Sequence, residues 1–355
     1  MTRRKTPETR KTLHTLAAAL LLAGAAFTLS PTATAAPVYK YTTIDVPGAV
    51  QTHVQGVDDS GAVVGAWLDA GGAWHGFRAQ SGVVGGVVST INYPGAAYTD
   101  AFGIGSSGAV AGTASSVPQI GSGDPAWGYL LASGAYTALV PPGAVQTGAF
   151  GVNGALTVVG SYRTGPPGTG YHGFVWSGGA FTTLDVPGAD STLPVGINDL
   201  GQIVGAVEAS CTGCAPSSGF LWSAGTLTTI TPFGATRSGA FGLNDLGAIV
   251  GWYGEGDELS GYLWADGSFV PIEPPATLYA QASDINNAGV IAGTYADAAG
   301  VIHGFVATPV PEPGSFVLAT LGLGVAAALR RRRTGAPQGV GVALGMRALP
   351  GADHA

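Results

Sequence analysis

Few residues in this chain have the type and spacing that chemistry requires. Cys211 and Cys214 stand two residues apart in a loop. That spacing suits a redox pair, half of a zinc site or a local disulfide. No second Cys/His pair lies near them, and the chain's ends (below) direct it to an oxidising compartment, so a disulfide is the expected state. The body's histidines are His53, His75, His172 and His303. Three of them precede a Gly-Phe pair at equivalent points of a repeat, which places them apart. A strand-edge or stacking role is expected for them rather than a metal site.

The acidic turns Asp58-Asp59, Asn198-Asp199 and Asn244-Asp245, with Asn286-Asn287, offer oxygen atoms of the kind that bind Ca²⁺. None has the dense D-x-[DN]-x-[DN]-G order of a dedicated calcium loop, and turn formation accounts for them. Ser107, Ser161 and Ser217 lie in no nucleophile motif, and no Gly-Lys-Thr/Ser follows the Gly-rich stretches. Trp74, Trp127, Trp176, Trp222, Trp252 and Trp264 read as packing residues, with Trp74 and Trp127 the better placed to face a sugar. No catalytic residue, metal site or cofactor is expected.

The elements that carry these residues repeat. A line of the form T-[ILV]-x-x-P-G-A has its glycine at Gly48, Gly95, Gly143, Gly188 and Gly234, with Ala276 standing in last; the steps are 47, 48, 45, 46 and 42 residues. A second landmark follows each: Gly56–Gly65, Gly103–Gly112, Gly151–Gly160, Gly196–Gly205, Gly242–Gly251 and Asp284–Gly293. The third is a Gly-aromatic pair, as in His172-Gly173-Phe174 or Gly219-Phe220. In the fourth copy four strands are predicted, near Leu193–Asn198, Gln202–Val207, Gly219–Ser223 and Leu227–Thr231. The Asn-Asp-Leu-Gly and Ala-Gly turns between them suit hairpins.

Four antiparallel strands per unit, six times over, predict an all-β, six-bladed β-propeller of four-stranded blades. The stretch Val38–Val46 has no blade before it, and the last unit ends at Phe305–Thr308 without an outer strand. Their pairing would close the ring and remove two sheet edges. A β-solenoid is the competing architecture.

Charge narrows the partners. Between Pro37 and Pro309 there are four basic residues (Lys40, Arg78, Arg163 and Arg237) against eighteen acidic ones, a balance of −14. Such a body repels phosphate backbones, so nucleic acid is not an expected partner.

The two ends read as addresses. Residues 1–35 have a basic stretch, an apolar run from Leu16 to Phe27 and Ala33-Thr34-Ala35, the three regions of a signal helix cleaved between Ala35 and Ala36. At the other end Pro311-Glu312-Pro313 leads into the apolar stretch Gly314–Leu329 and then Arg330, Arg331, Arg332 and Arg333. Sixteen helical residues span about 24 Å, short of a roughly 30 Å bilayer core, but the arginines behind them act as a stop-transfer signal. The expected organisation is signal peptide 1–35, repeat body 36–309, sorting signal with a transmembrane helix 310–333 and disordered tail 334–355.

Val310-Pro311-Glu312-Pro313-Gly314, the apolar stretch and the arginine cluster together resemble the PEP-CTERM sorting signal. That resemblance implies recognition by exosortase, a membrane transpeptidase, with transient anchoring in the inner membrane followed by release to the cell surface or the extracellular space. It also implies a link to exopolysaccharide and biofilm. The six units, with cores such as His172-Gly173-Phe174-Val175-Trp176, resemble HAF-type extracellular repeats. Together these readings predict an exported, non-enzymatic structural or binding protein, with a polysaccharide-acting enzyme as the alternative.

Overall fold

The computed structural model describes residues 37–80, 88–118, 124–208, 217–255 and 258–311, all in the compact unit that begins at Pro37. Twenty-four strands lie among them. The first is β1 (Val38–Ile44). One sheet follows in chain order: β2 (Gln51–Val57), β3 (Ala62–Leu68), β4 (Trp74–Gln80) and β5 (Ser89–Ile91). Next come β6 (Tyr98–Ile104), β7 (Val110–Ser115), β8 (Ala126–Ala132) and β9 (Ala135–Leu139). They are followed by β10 (Gln146–Val152), β11 (Val158–Arg163), β12 (His172–Ser177) and β13 (Ala180–Leu184).

Two further sheets are again in chain order. One is β14 (Ser191–Ile197), β15 (Ile203–Glu208), β16 (Ser218–Ser223) and β17 (Thr226–Ile230). The other is β18 (Arg237–Leu243), β19 (Ile249–Glu255), β20 (Glu258–Ala265) and β21 (Ser268–Ile272). The chain ends with β22 (Thr277–Ile285), β23 (Ile291–Asp297) and β24 (Ile302–Val310), and β1 joins these as the outer strand, antiparallel to β24 from Val38↔Val310 to Ile44↔Gly304.

The expectation of six separate four-stranded blades is corrected by the hydrogen bonding. Four blades are discrete four-stranded sheets, whereas β6 to β13 form one eight-stranded sheet. The joint is a single parallel bridge, Gln146↔Ala126. It forms where the Gln146 side chain donates to the Asp124 carbonyl at 3.2 Å and accepts from the Tyr171 hydroxyl at 2.6 Å. The two expected helices are also not part of the described fold. Residues 1–35 and 314–329 lie outside the described residues, which contain no α-helix and no helix long and apolar enough to cross a membrane. Because β1 meets β24, the sheets form a closed propeller rather than an open stack.

The second and third landmarks explain each other. Gly65, Gly112, Gly160, Gly205, Gly251 and Gly293 stand opposite Phe77, Tyr129, Phe174, Phe220, Tyr262 and Phe305 across the strands. Each ring lies on its glycine: a Cβ at Gly160 would fall 2.8 Å from the Phe174 ring and one at Gly251 2.9 Å from the Tyr262 ring. All six rings are buried. At a strand position that has lost its own side chain, the aromatic restores the missing packing. The first landmark ends each sheet with a turn: Ala49 N–H donates to Val46 O at 3.0 Å, and Gly48 takes φ +83°.

Candidate ligand-binding site in the central cavity

The first strands of the six repeats, β2, β6, β10, β14, β18 and β22, line a central cavity of about 370 Å³. Each carries a bulge at the same place, just before the second landmark. The bulged residues are Gln55, Phe102, Phe150, Val195, Phe241 and Ser283, and all of them line the cavity. A bulge re-aims one side chain per strand, here towards the cavity. Three rings and a valine therefore form most of the wall. Gln55 and Ser283 form a polar sector where β2 and β22 are neighbours.

The residue after the bulge packs against the next first strand. A Cβ at Gly56 would lie 2.8 Å from Phe102 O, and one at Gly151 2.6 Å from Val195 O, so neither position has room for a side chain. In β22 this position is Asp284. Its Oδ2 accepts from Val57 N–H and its Oδ1 from Ile285 N–H, both at 2.9 Å. Loss of water pushes its carboxyl up to about 7 despite those donors, and the Asp59 and Asp58 charges add to the effect. Asp100, buried on β6, accepts from both sides of the sector: Gln55 Nε2 lies 2.9 and 3.0 Å from its oxygens and the Tyr98 hydroxyl 3.2 Å away. Burial pushes the Asp100 carboxyl up to about 6.

Turns ring the mouth of this cavity, and they account for the repeated asparagines. Asn244 Oδ1 accepts from Leu246 and Ala248 N–H, shaping its own turn, while its Nδ2 donates to Asn286 O at 3.0 Å. Asn153 donates likewise to Asn198 O, Asn198 to Asn244 O, and Asn286 to Asp58 O. An aspartate would form the turn but lacks the amide that clasps the next sheet. Asp58 interrupts the series, and Arg78 stands in, 3.6 Å from its carboxylate and donating to Gly108 O at 3.3 Å. The acidic neighbours are also engaged: Asp199 accepts from Ser106 Oγ at 2.9 Å, and Asp59 from Asn287 N–H at 2.8 Å. Among the described residues no group of three His, Cys, Asp or Glu is arranged to hold a metal ion.

The repeated histidines lie elsewhere, on three different sheets, and the structure does not bring them together. His172 and His303 pair with the acid of the first landmark, His172 Nδ1 with Asp185 at 2.8 Å and His303 Nδ1 with Asp45 at 2.9 Å. Each stacks near the aromatic of the preceding strand, Tyr162 at 5.5 Å and Tyr295 at 5.3 Å. His75 lies between Asp69, Asn92 and Trp67. His53, beside Trp74 at 5.2 Å, is depressed to about 4 by burial. Trp74 and Trp127 are half-buried like the other tryptophans, Trp127 packing edge-on to Tyr93. No exposed tryptophan surface results.

Of the sorting residues, Pro311 is the last described one. Glu312, Pro313, Arg330–Arg333, Ala35, Ala36, Cys211 and Cys214 lie outside the described residues. Sequence alone marked Asp284 only as the start of a landmark and left Ser283 unremarked, although the signal was present: Asp284 stands where every other second landmark opens on glycine.

Comparison with known proteins bears on the address of the chain. No curated protein matches the chain. The β-propeller domain of the Trilobed protease from Pyrococcus furiosus is similar at 9% identity and a TM-score of 0.47, over 77% of this chain and 87% of that one. AofleA from Arthrobotrys oligospora gives 13% and 0.42, over 77% and 84%. The fucose-specific lectin from Aleuria aurantia gives 11% and 0.43, over 77% and 100%. Residues 309–333 match the PEP-CTERM protein-sorting motif. The motif marks an exported protein with a membrane-anchoring C-terminus, handled by exosortase-type sorting machinery.

Proposed function

We propose that this chain is a non-catalytic propeller displayed at the cell surface or in the extracellular matrix, where it has a binding or structural role. In this reading it is anchored transiently in the inner membrane and released when an exosortase-type enzyme acts at Pro311-Glu312-Pro313. Its repeats are of the HAF type, its setting is exopolysaccharide or biofilm, and Arg330–Arg333 halt its translocation. The observation that carries the reading is the position of the matched motif. It begins at residue 309, and the last strand, β24, ends at Val310 paired with Val38. Removing everything beyond the motif therefore costs the propeller no strand. A non-catalytic role is supported by the polar groups of the mouth, whose carboxylates and amides are occupied in clasping one turn to the next.

Intact mass and localisation of the protein made in its native host test the reading. A mass ending near Pro313, in a released or surface fraction, is the expected result. Full length to Ala355 in the inner membrane would overturn it.

A further inference from the structure

The polar sector of the central cavity contains a carboxylate that no basic side chain of the wall answers. Ser283 is 8% exposed, lines the cavity, and its Oγ has no partner in the protein. That oxygen is itself sealed from the cavity, so it offers a ligand no contact. Beside it stands the Asp284 carboxylate, a departure from glycine found in this repeat alone. No Lys, Arg or His lines the cavity to neutralise it. The rings of Phe102, Phe150 and Phe241 share the wall with it, with Phe102 and Phe150 edge-to-face at 5.0 Å.

We infer that this cavity binds a small organic cation, an amine or ammonium attached to an apolar body. The carboxylate of Asp284 receives the cationic head. The phenylalanine rings contact the apolar body, and their negative faces favour the charge. About 370 Å³ lies within the range of small-ligand pockets. A neutral sugar would bring more hydroxyls than this largely apolar wall can satisfy. An anion would meet carboxylates and no cation. A bare metal ion would find too few clustered ligands.

The inference rests on the binding reading of the propeller, but its test does not depend on where the protein resides. Titration calorimetry on the full chain in a nonionic detergent, with benzylammonium, benzyl alcohol and benzoate as probes, decides it. Benzylammonium should bind at least tenfold more tightly than benzyl alcohol, with benzoate undetectable. Asp284→Asn should lower benzylammonium affinity tenfold or more, with a circular dichroism spectrum like that of the parent. His172→Ala, remote from the cavity, should leave it unchanged. Equal binding of the amine and the alcohol, or full affinity in Asp284→Asn, would overturn the inference. Mislocalised protein that still binds the amine would instead overturn only the surface assignment.

Discussion

The sheet that closes the propeller and the β10–β13 half of the eight-stranded sheet contain the same four side chains in the same arrangement. In β10–β13, Tyr162 reaches Thr183 at 3.2 Å and His172 reaches Asp185 at 2.8 Å. In the closing sheet Tyr295 reaches Thr43 at 2.9 Å and His303 reaches Asp45 at 2.9 Å. The contacts match, but their covalent context does not. A two-residue turn joins β12 to β13, whereas most of the chain separates β24 from β1. Joining distant segments costs more loop-closure entropy, although the cost grows only slowly with length. The closing strands are correspondingly longer, seven and nine residues against six and five. The difference teaches that a repeat's contacts are interchangeable while its connectivity is not, and that extra ladder offsets a missing turn.

Breaking the joint should have the largest effect. Ile44 and Leu184 occupy equivalent, equally buried positions, and replacing either with alanine should cost about 2–5 kcal/mol. Only Ile44→Ala should release β1, because only there does no hairpin turn retain the strand. Limited trypsin digestion should then cut after Lys40, which in the parent is held in the ladder opposite Thr308. Equal protection of Lys40 in both variants would deny the closing strand its special status.

Next in size is the response to pH at Asp284, which takes the place that Gly151 fills in β10. A carboxyl raised to about 7 in the fold favours the protonated form there. Its contribution to stability is therefore fully present below about pH 4 and is lost as pH rises through 7. The charges facing it are Asp58, which Arg78 partly offsets, and Asp59. Asp284→Asn should flatten the fall in Tm between pH 5 and 8, as thermal melts across that range would reveal. Gly151→Ala should lower Tm at every pH without changing the slope.

The asparagine clasp sharpens the comparison further. Asn286→Asp and Asn198→Asp each lose a donor to the next turn, at a cost of about 1–3 kcal/mol. Asn286 clasps Asp58 across the closure, where the new charge meets an existing carboxylate, so it should be the more destabilising of the two in urea melts. The smallest effect belongs to the turns leading into the two regions. Pro141-Pro142-Gly143 has glycine at φ +79°, whereas Pro274-Pro275-Ala276 holds alanine at φ +57°. Ala276→Gly should stabilise by about 1 kcal/mol and Gly143→Ala should destabilise by a similar amount. Calorimetric Tm values with opposite shifts would confirm that the closing unit carries this strain.

Much of the architecture was legible in the chain itself. The strands of the fourth copy were anticipated to within two residues at either end, because period-two burial and Gly-containing turns are local signals. Gly160 and Phe174 could be recognised as landmarks by recurrence alone, but that one covers the other appears only when the strands are in register. The asparagines read correctly as turn formers. Their second role, clasping the following sheet, depends on the amide nitrogen meeting a carbonyl more than forty residues away.

The sequence by itself determined the repeat, the strands, the turns and the address at the C-terminus, since each is written in short-range pattern and composition. Tertiary structure alone decided that β6–β13 share one sheet, that Ser283 is left without a partner, and that Asp284 is a half-desolvated carboxylate on the wall of a cavity. Those outcomes depend on which backbone groups from distant units come within hydrogen-bonding distance and on how much water their packing excludes. No local pattern records either.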